Sequence, residues 1–231
     1  AGWDAHGMRM WKRKPLQKFF GRHKPVVFED DPVKVRQTDR RWMVWAGKAQ
    51  VGHEDAVRVE DGFLRSKGLG AELIPPLSLV CDDLGIYYDP ARPSRLEKWI
   101  EQRATLRSDQ QARACTLIAQ LTKAGLSKYN LAAPLPDLST LKEGRRILVP
   151  GQVEDDASIR TGTDRVQTNR ALLEAVRAAH TDAVILYKPH PDVEAGLRAG
   201  ATDAADLADM VLDQADPIAL LAHVDEVWTM T

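Results

Sequence analysis

The sequence lacks several features that assign a chain to a functional class at once. It has two cysteines, Cys81 and Cys115, and neither belongs to a C-x-x-C pair, so a zinc site of that spacing is not indicated. We expect two free, buried thiols, which fits a reducing cytoplasm. The 32 basic and 33 acidic residues nearly cancel, so the net charge does not indicate a nucleic-acid-binding face, and we expect no nucleic acid among the partners.

Long apolar runs are also missing. No stretch has the length that spans a bilayer, and the first residues lack the continuous apolar core of a signal peptide. The chain begins without a methionine and ends just after residues 224–229, which we predict to form a strand. We therefore expect a segment of a longer protein, whose C-terminal domain lacks its next helix.

The patterns that are present predict an α/β protein. A hydrophobic content of 44% suits a globular fold with a substantial core. Short apolar strands alternate with helical patterns, and parallel strands require such crossover connections, so we expect parallel sheets. We predict two α/β domains, over residues 25–135 and 147–231, and a linker over residues 136–146 within a segment rich in proline and charge.

Local patterns predict particular elements within these domains. Ser94 followed by Glu97 is the capping box of a helix over residues 93–103, and a second helix is expected over residues 108–125. Residues 77–89 are expected to form two strands joined by a hairpin-like turn. The strands whose carboxyl ends carry polar residues are predicted at residues 57–59, 147–149 and 183–187.

Residues 1–24 form a basic and aromatic N-terminal segment. One interpretation is a short helix, interrupted near Pro15, that packs on the first domain. The alternative is a helix on a membrane surface, where bulky apolar groups enter the bilayer and Lys and Arg meet anionic headgroups. The apolar positions that fit such an amphipathic helix are Met10, Trp11, Leu16, Phe19 and Phe20.

The carboxyl ends of the strands are where ligands bind in doubly wound sheets. The strand at 183–187 ends in Lys188-Pro-His190-Pro, whose cation and imidazole suit a phosphate. We expect this turn to lie beside the loop that follows the strand at 147–149. A carboxylate there suits a base, a metal ligand or a covalent nucleophile, and a solvated loop is the alternative. The polar residues of that loop are Gln152, Glu154, Asp155, Asp156 and Ser158.

A second polar group follows the strand at 57–59. Asp61 before Gly62 has the sequence of a turn, and Glu60 with Arg65 has the spacing of a surface ion pair. The alternative places Glu60 across an interdomain cleft from Asp156, because two facing carboxylates recur in sugar chemistry.

Several segments together resemble the capsule polysaccharide Kdo transferases of Gram-negative bacteria. They are "RVEDGFLRSKGLGAELIPPLSLVCDDLGIYYDPARPSRLE", "LSKYNL", "ILVPGQVEDDASI", "TN", "ILYKPHPDV" and "VDEVWTMT". The resemblance runs from about residue 25 to the end, and the combination is far more specific than any one segment.

This resemblance implies a GT-B-like architecture of two Rossmann-like domains. It also implies retaining transfer of Kdo from CMP-β-Kdo to a Kdo oligosaccharide on phosphatidylglycerol, at the cytoplasmic face of the inner membrane. We expect no metal or other cofactor. The expected partners are the donor, the lipid-linked acceptor, the membrane surface and other proteins of capsule synthesis and export.

The family motifs assign roles to individual residues. By this resemblance Asp156 is the nucleophile, with Asp155 as its competitor, and Glu60 is the general acid/base. Four residues are expected at the donor, where the phosphate of CMP and the carboxylate of Kdo need offsetting charge. They are Gln152, Ser158, Lys188 and His190. Supporting roles are assigned to Asp61, Arg65 and Asp155.

The sequence departs from the family at its C-terminus, and two other functions remain as alternatives. The family continues past the final strand into a loop and a helix, so we expect the isolated chain to have weak or no activity. The first rival is another GT-B sugar-nucleotide enzyme. The second is a non-catalytic glycan-binding module.

Overall fold

The computed structural model describes residues 2–35, 38–131 and 133–231, which divide into two compact units, Ala1–Gln111 and Ala112–Thr231. This division differs from the linker that we expected over residues 136–146. The reason is that Leu138 is buried in a core cluster with Leu148 and Val184, so this segment belongs to the second unit.

The first unit is built on a five-stranded sheet of order β2-β1-β3-β4-β5. All neighbours are parallel except β4 and β5, which are antiparallel. The strands are β1 (Trp3–His6), β2 (Val27–Phe28), β3 (Arg41–Trp45), β4 (Val57–Asp61) and β5 (Leu79–Asp82). The helices are α1 (Met10–Phe20), α2 (Pro32–Val35), α3 (Arg95–Gln102) and α4 (Ser108–Lys123), and the last crosses the division between the units.

The N-terminal segment is part of this unit. Strand β1 lies between β2 and β3, and Ala5 is buried in the same core cluster as Leu16 of α1 and Met43 of β3. Met10 and Phe19 of the same helix remain exposed. Residues 1–24 are therefore part of the first unit and not the separate segment that we had expected. The interpretation of this segment as a helix that packs on the first domain is confirmed.

The expected hairpin over residues 77–89 is wrong, because only β5 forms and its antiparallel partner is β4. Asp82 redirects the chain: its Oδ1 accepts hydrogen bonds from the backbone N–H groups of Leu84 and Gly85, both at 2.9 Å. Its Oδ2 accepts from the N–H of Arg95 at 2.8 Å, at the start of α3. The predicted capping box of Ser94 and Glu97 is confirmed at that helix.

The two cysteines are free, as expected, but they are exposed rather than buried. Cys81 lies in β5, an edge strand, and Cys115 lies in α4, none of whose described residues is buried. No helix among the described residues is long and apolar enough to cross a bilayer.

The second unit is built on a four-stranded, fully parallel sheet of order β8-β7-β6-β9. Its strands are β6 (Arg146–Pro150), β7 (Val184–Lys188), β8 (Met210–Val211) and β9 (Glu226–Val227). Its other helices are α5 (Ala157–Gly162), α6 (Asn169–Ala179), α7 (Pro191–Glu194) and α8 (Pro217–Leu221).

The two central strands of this second sheet, β6 and β7, are buried on both faces. Ile185 faces a cluster that contains Leu173 and Val176 of α6, and Leu186 faces a cluster that contains Leu220 of α8. Since burial on both faces is typical of doubly wound α/β sheets, the predicted fold class is confirmed for this unit.

Candidate active site

The two polar loops of the second unit lie side by side, as the sequence predicted. Strands β6 and β7 are parallel with Pro150 opposite Lys188, so both loops leave the same edge of the sheet. The N–H of Gly151 donates to the carbonyl of Lys188 at 2.7 Å. A Cβ at Gly151 would lie 2.8 Å from the hydroxyl of Tyr187 and 3.2 Å from Cα of Pro189. The loops therefore approach closely only because residue 151 is glycine.

Asp156 caps the N-terminus of α5. Its Oδ2 accepts hydrogen bonds from the hydroxyl of Ser158 at 2.8 Å and from the N–H of Ser158 at 3.3 Å. Its Oδ1 lies 3.9 Å from Nη2 of Arg198, and about half of the side chain is exposed. One carboxylate oxygen is thus held in place, and the other faces a cation at a longer distance.

Asp155 makes closer contact with the same cation. Its Oδ1 accepts from Nη2 of Arg198 at 2.8 Å and from Nε at 3.2 Å. Its backbone carbonyl accepts from Nη1 of Arg160 at 2.6 Å. Because charge-assisted hydrogen bonds are among the stronger ones, the guanidinium holds Asp155 more firmly than Asp156.

Lys188 is a buried member of an ion pair. Its side chain is 8% exposed, and its Nζ donates to Oε2 of Glu194 at 2.6 Å and to the carbonyl of Pro189 at 2.8 Å. The other oxygen of Glu194 accepts from the N–H of Gln214 at 2.9 Å. Sequence reasoning missed Glu194, because the turn between it and Lys188 gives no periodic signal of their contact.

His190 lies at the N-terminus of α7, where its Nδ1 accepts a hydrogen bond from the N–H of Asp192 at 3.1 Å. Burial is the main reason that the pKa of His190 is lowered to about 4, and the positive charges of Lys128 and Lys188 lower it further. The imidazole is therefore neutral at pH 7. Since Nδ1 accepts, the proton is assigned to Nε2, which is then available to donate.

Lys128 and Tyr129 also lie close to His190. The rings of Tyr129 and His190 meet edge to face, with centroids 6.0 Å apart. Lys128 lies 5.3 Å from the centroid of the Tyr129 ring. Both belong to the segment "LSKYNL" that carries the family resemblance, but the sequence alone assigned them no role.

Asn169 joins the loop after β6 to the rest of the unit. It is 1% exposed, and its Oδ1 accepts from the N–H of Gln152 at 2.8 Å. Its Nδ2 donates to the carbonyls of Gln152 at 2.9 Å and of Gly200 at 2.8 Å. Its backbone N–H donates to Oε1 of Glu154 at 2.8 Å. The adjacent N-cap, Thr168, was the available signal for this residue.

Gln152 contacts the residues that follow β9. Its Nε2 donates to the hydroxyl of Thr231 at 2.8 Å, and its Oε1 accepts from the N–H of Met230 at 2.8 Å. The side chain expected at the donor is therefore engaged with the neighbouring strand end.

The polar group of the first unit is more buried than expected. Arg65 is 1% exposed, and it donates from Nε to Oδ2 of Asp61 at 2.7 Å and from Nη1 to the hydroxyl of Ser66 at 2.8 Å. Because Arg65 is buried, it does not form the expected pair at the surface, and one carboxylate that it contacts in the structure is that of Asp61. Oε1 of Glu60 accepts from the N–H of Asp61 at 3.0 Å.

No metal site arises from these groups. In residues 2–35, 38–131 and 133–231, the structure brings together no three His, Cys, Asp or Glu side chains that could hold a metal ion.

A family model described as capsule polysaccharide biosynthesis protein matches residues 36–139 and 128–231. The chain belongs to this capsule polysaccharide biosynthesis protein family. The match confirms the resemblance carried by the sequence motifs.

The chain is also similar to two named bacterial proteins. The chain is 42% identical to the capsule polysaccharide modification protein LipA of Neisseria meningitidis over 97% of its own length and 34% of that protein. It is 43% identical to the lipopolysaccharide-processing protein LpsZ of Rhizobium meliloti over 75% of its length and 41% of that protein. The chain thus spans less than half of the length of either relative.

Two solved structures have the same fold. One is the β-Kdo 2,4 transferase of Thermosulfurimonas dismutans KpsC, with a TM-score of 0.80 and 27% identity over 99% of this chain and 73% of that one. The other is the β-Kdo 2,7 transferase of the same KpsC, with a TM-score of 0.72 and 28% identity over 99% and 72%. With the parallel-dominated sheets, this similarity confirms the expected GT-B-like α/β fold class.

Proposed function

We propose that the protein carrying this chain is a retaining β-Kdo transferase of capsule polysaccharide synthesis, with CMP-β-Kdo as donor and a lipid-linked Kdo oligosaccharide as acceptor. The observation that carries the proposal is the pairing of the Asp156 loop with the Lys188–His190 turn at one sheet edge. The similarity to the two KpsC β-Kdo transferase structures supports Kdo as the transferred sugar.

The proposed reaction has two displacements. A carboxylate oxygen of Asp156 attacks the anomeric carbon of Kdo, the bond to the CMP phosphate breaks, and CMP leaves with the bonding electrons. An acceptor hydroxyl then attacks the same carbon, Glu60 takes its proton, and the Asp156 carboxylate is released. Two inversions give net retention.

The contacts favour Asp156 over Asp155 as the nucleophile. Ser158 orients one oxygen of Asp156, and the other is 3.9 Å from Arg198. Asp155 instead forms two short bonds to Arg198, which suits a residue that positions the guanidinium beside Asp156.

In this proposal, the turn after β7 stabilises CMP as it leaves. A neutral His190 with the proton on Nε2 donates to a phosphate or carboxylate oxygen without carrying a charge of its own. Lys188 supplies the charge, although Glu194 holds its ammonium in this structure. Donors fixed in advance around the developing charge are the usual source of such stabilisation.

Turnover with a defined donor tests the proposal. We expect the full-length protein to extend a synthetic Kdo acceptor with CMP-Kdo, measured by mass spectrometry of the product, and to give no product with UDP-sugars. Transfer from a UDP-sugar would instead support the other GT-B enzyme. Acceptor binding without turnover of any donor would support the glycan-binding module.

We also propose that the first unit contacts the anionic surface of the inner membrane. A groove of about 410 Å³ is lined by apolar side chains with two lysines, and Phe19 and Leu77 are exposed by 43% and 74%. Exposed apolar groups beside cations suit an interface of acyl chains and anionic headgroups. The lining residues are Lys14, Pro15, Lys18, Phe19, Pro75, Pro76 and Leu77.

Charge reversal at the groove tests this membrane contact. We expect Lys18→Glu to reduce binding to phosphatidylglycerol-containing vesicles by about fivefold or more, because each cation near an anionic bilayer contributes about 1 kcal/mol. Cosedimentation measures the bound fraction, and Lys123→Glu, an exposed lysine in the last turn of α4, is the matched control. Equal binding of both variants and the wild type would contradict this surface as the contact.

A further inference from the structure

Lys12 is an unusual lysine at the carboxyl edge of the first sheet. It lies in the first turns of α1, which follows β1, and parallel strands β3 and β4 end at the same edge with Trp45 and Glu60-Asp61. The residue is only 8% exposed. Lysine is almost never this buried unless its charge has a partner.

The contacts of Lys12 are aromatic. Its Nζ lies 3.0 Å from the centroid of the Trp45 ring and 5.1 Å from that of Trp11. In the described part of the chain, no hydrogen bond or ion pair of this ammonium accompanies these contacts. The face of an indole ring attracts a cation, but it has no oxygen that accepts hydrogen bonds from the ammonium N–H groups. These N–H groups therefore remain available to donate to a ligand.

The charges around Lys12 leave it available to an anion. Burial lowers the pKa of Lys12 to about 8, while Asp61 and Glu60 raise it and Arg65 and Arg9 lower it further. The guanidinium of Arg65 already pairs with Asp61 at 2.7 Å. Lys12 is therefore mostly charged at pH 7, beside a carboxylate that another cation neutralises.

We propose that Lys12 binds the carboxylate of the acidic acceptor sugar and so selects a sugar acid at the place where Glu60 meets the acceptor hydroxyl. This inference rests on the proposed transferase function. It makes Lys12 a specificity-determining residue, distinct from the groups assigned to the donor in the second unit.

Arg65 fits a supporting role in this subsite. Its Nη2 and the Oδ1 of Asp61 are buried and have no hydrogen-bond partner in the described structure. A Cβ at Gly70 would lie 2.9 Å from Cζ of Arg65, which shows how closely the chain covers the guanidinium. The Arg65–Asp61 pair, at 2.7 Å, offsets the negative charge of Asp61 beside Lys12.

Acceptor kinetics of the full-length protein provide the first test. We expect Lys12→Met to raise the acceptor KM by about tenfold or more, as for the loss of one partner of a desolvated charge pair, and to leave the donor KM unchanged. The wild type should prefer a Kdo acceptor over its methyl ester, and this preference should disappear in Lys12→Met and persist in Lys12→Arg. An undiminished preference in folded Lys12→Met, checked by circular dichroism, would overturn the proposal.

A binding measurement separates this inference from the transferase function. Reductive ¹³C-methylation gives each lysine an NMR signal, and the Lys12 signal is identified by its absence in Lys12→Met. We expect the Kdo methyl glycoside to shift this signal and its methyl ester to leave it in place, with exposed Lys34 unaffected by either. If the Kdo methyl glycoside does not shift the Lys12 signal, the subsite proposal is wrong, even in an active enzyme. If the signal shifts in a protein that transfers no Kdo, the subsite is retained and the proposed transferase function is wrong.

Discussion

Asp156→Asn is expected to abolish Kdo transfer and to remove the Kdo–protein adduct. The amide of asparagine is too weak a nucleophile to form the glycosyl–enzyme bond, and loss of a covalent catalyst costs about 10³-fold or more in turnover. Asparagine is also a good N-cap residue, so α5 should keep its start and the fold should persist. The measurement is product formation from CMP-Kdo together with intact mass of the full-length protein.

Asp155→Asn is the matched control for this prediction. It changes the neighbouring carboxylate in the same way, and it weakens the bonds that hold Arg198. We expect slower turnover with an adduct still detectable. The reverse pattern, with the adduct lost only in Asp155→Asn, would reassign the nucleophile to Asp155. Full turnover of Asp156→Asn would exclude Asp156 as the nucleophile.

The sequence could predict that the two loops of the second unit are neighbours, because each strand that precedes them has a local signal. Each loop follows a short, buried, β-rich run, and parallel strands place their carboxyl ends at one edge. The structure agrees with this rule, because Pro150 lies opposite Lys188. The start of α3 could be predicted for the same reason, since a capping box is complete within four residues.

The strand β1 could not be predicted in this way. Its four residues include Asp4 and His6, which break any apolar pattern. Asp4 is 1% exposed, and it is held by Arg40 at 2.9 Å and by the hydroxyl of Thr38 at 2.5 Å. These partners lie more than thirty residues away, so only the folded chain shows that this polar segment is central in the sheet.

The partners of the site residues were hidden for a similar reason. Glu194 contacts Lys188 across a turn, and Arg198 reaches Asp155 from 43 residues away. Side-chain pairs of this kind depend on how loops meet, for which neither propensity nor periodicity gives a signal. Sequence motifs therefore located the site, whereas the assignment of each charge to its partner required the structure.

Asn169→Asp is expected to destabilise the second unit strongly. The substitution keeps the acceptor for the N–H of Gln152 but replaces the donor that serves the carbonyls of Gln152 and Gly200. It also places a carboxylate against those carbonyls at a site that is 1% exposed. Lost buried hydrogen bonds and a buried charge together should lower the free energy of unfolding by about 2–4 kcal/mol.

Gln167→Glu makes the same change of amide to acid at an exposed residue close to the start of α6, so its effect should stay within about 0.5 kcal/mol. Denaturant unfolding compares the two variants, and hydrogen exchange of residues 151–156 reports on the loop itself. We expect faster exchange there in Asn169→Asp and weaker binding of CMP, because Asn169 holds the loop that carries Asp156. Wild-type stability and exchange in Asn169→Asp would show that other contacts fix this loop.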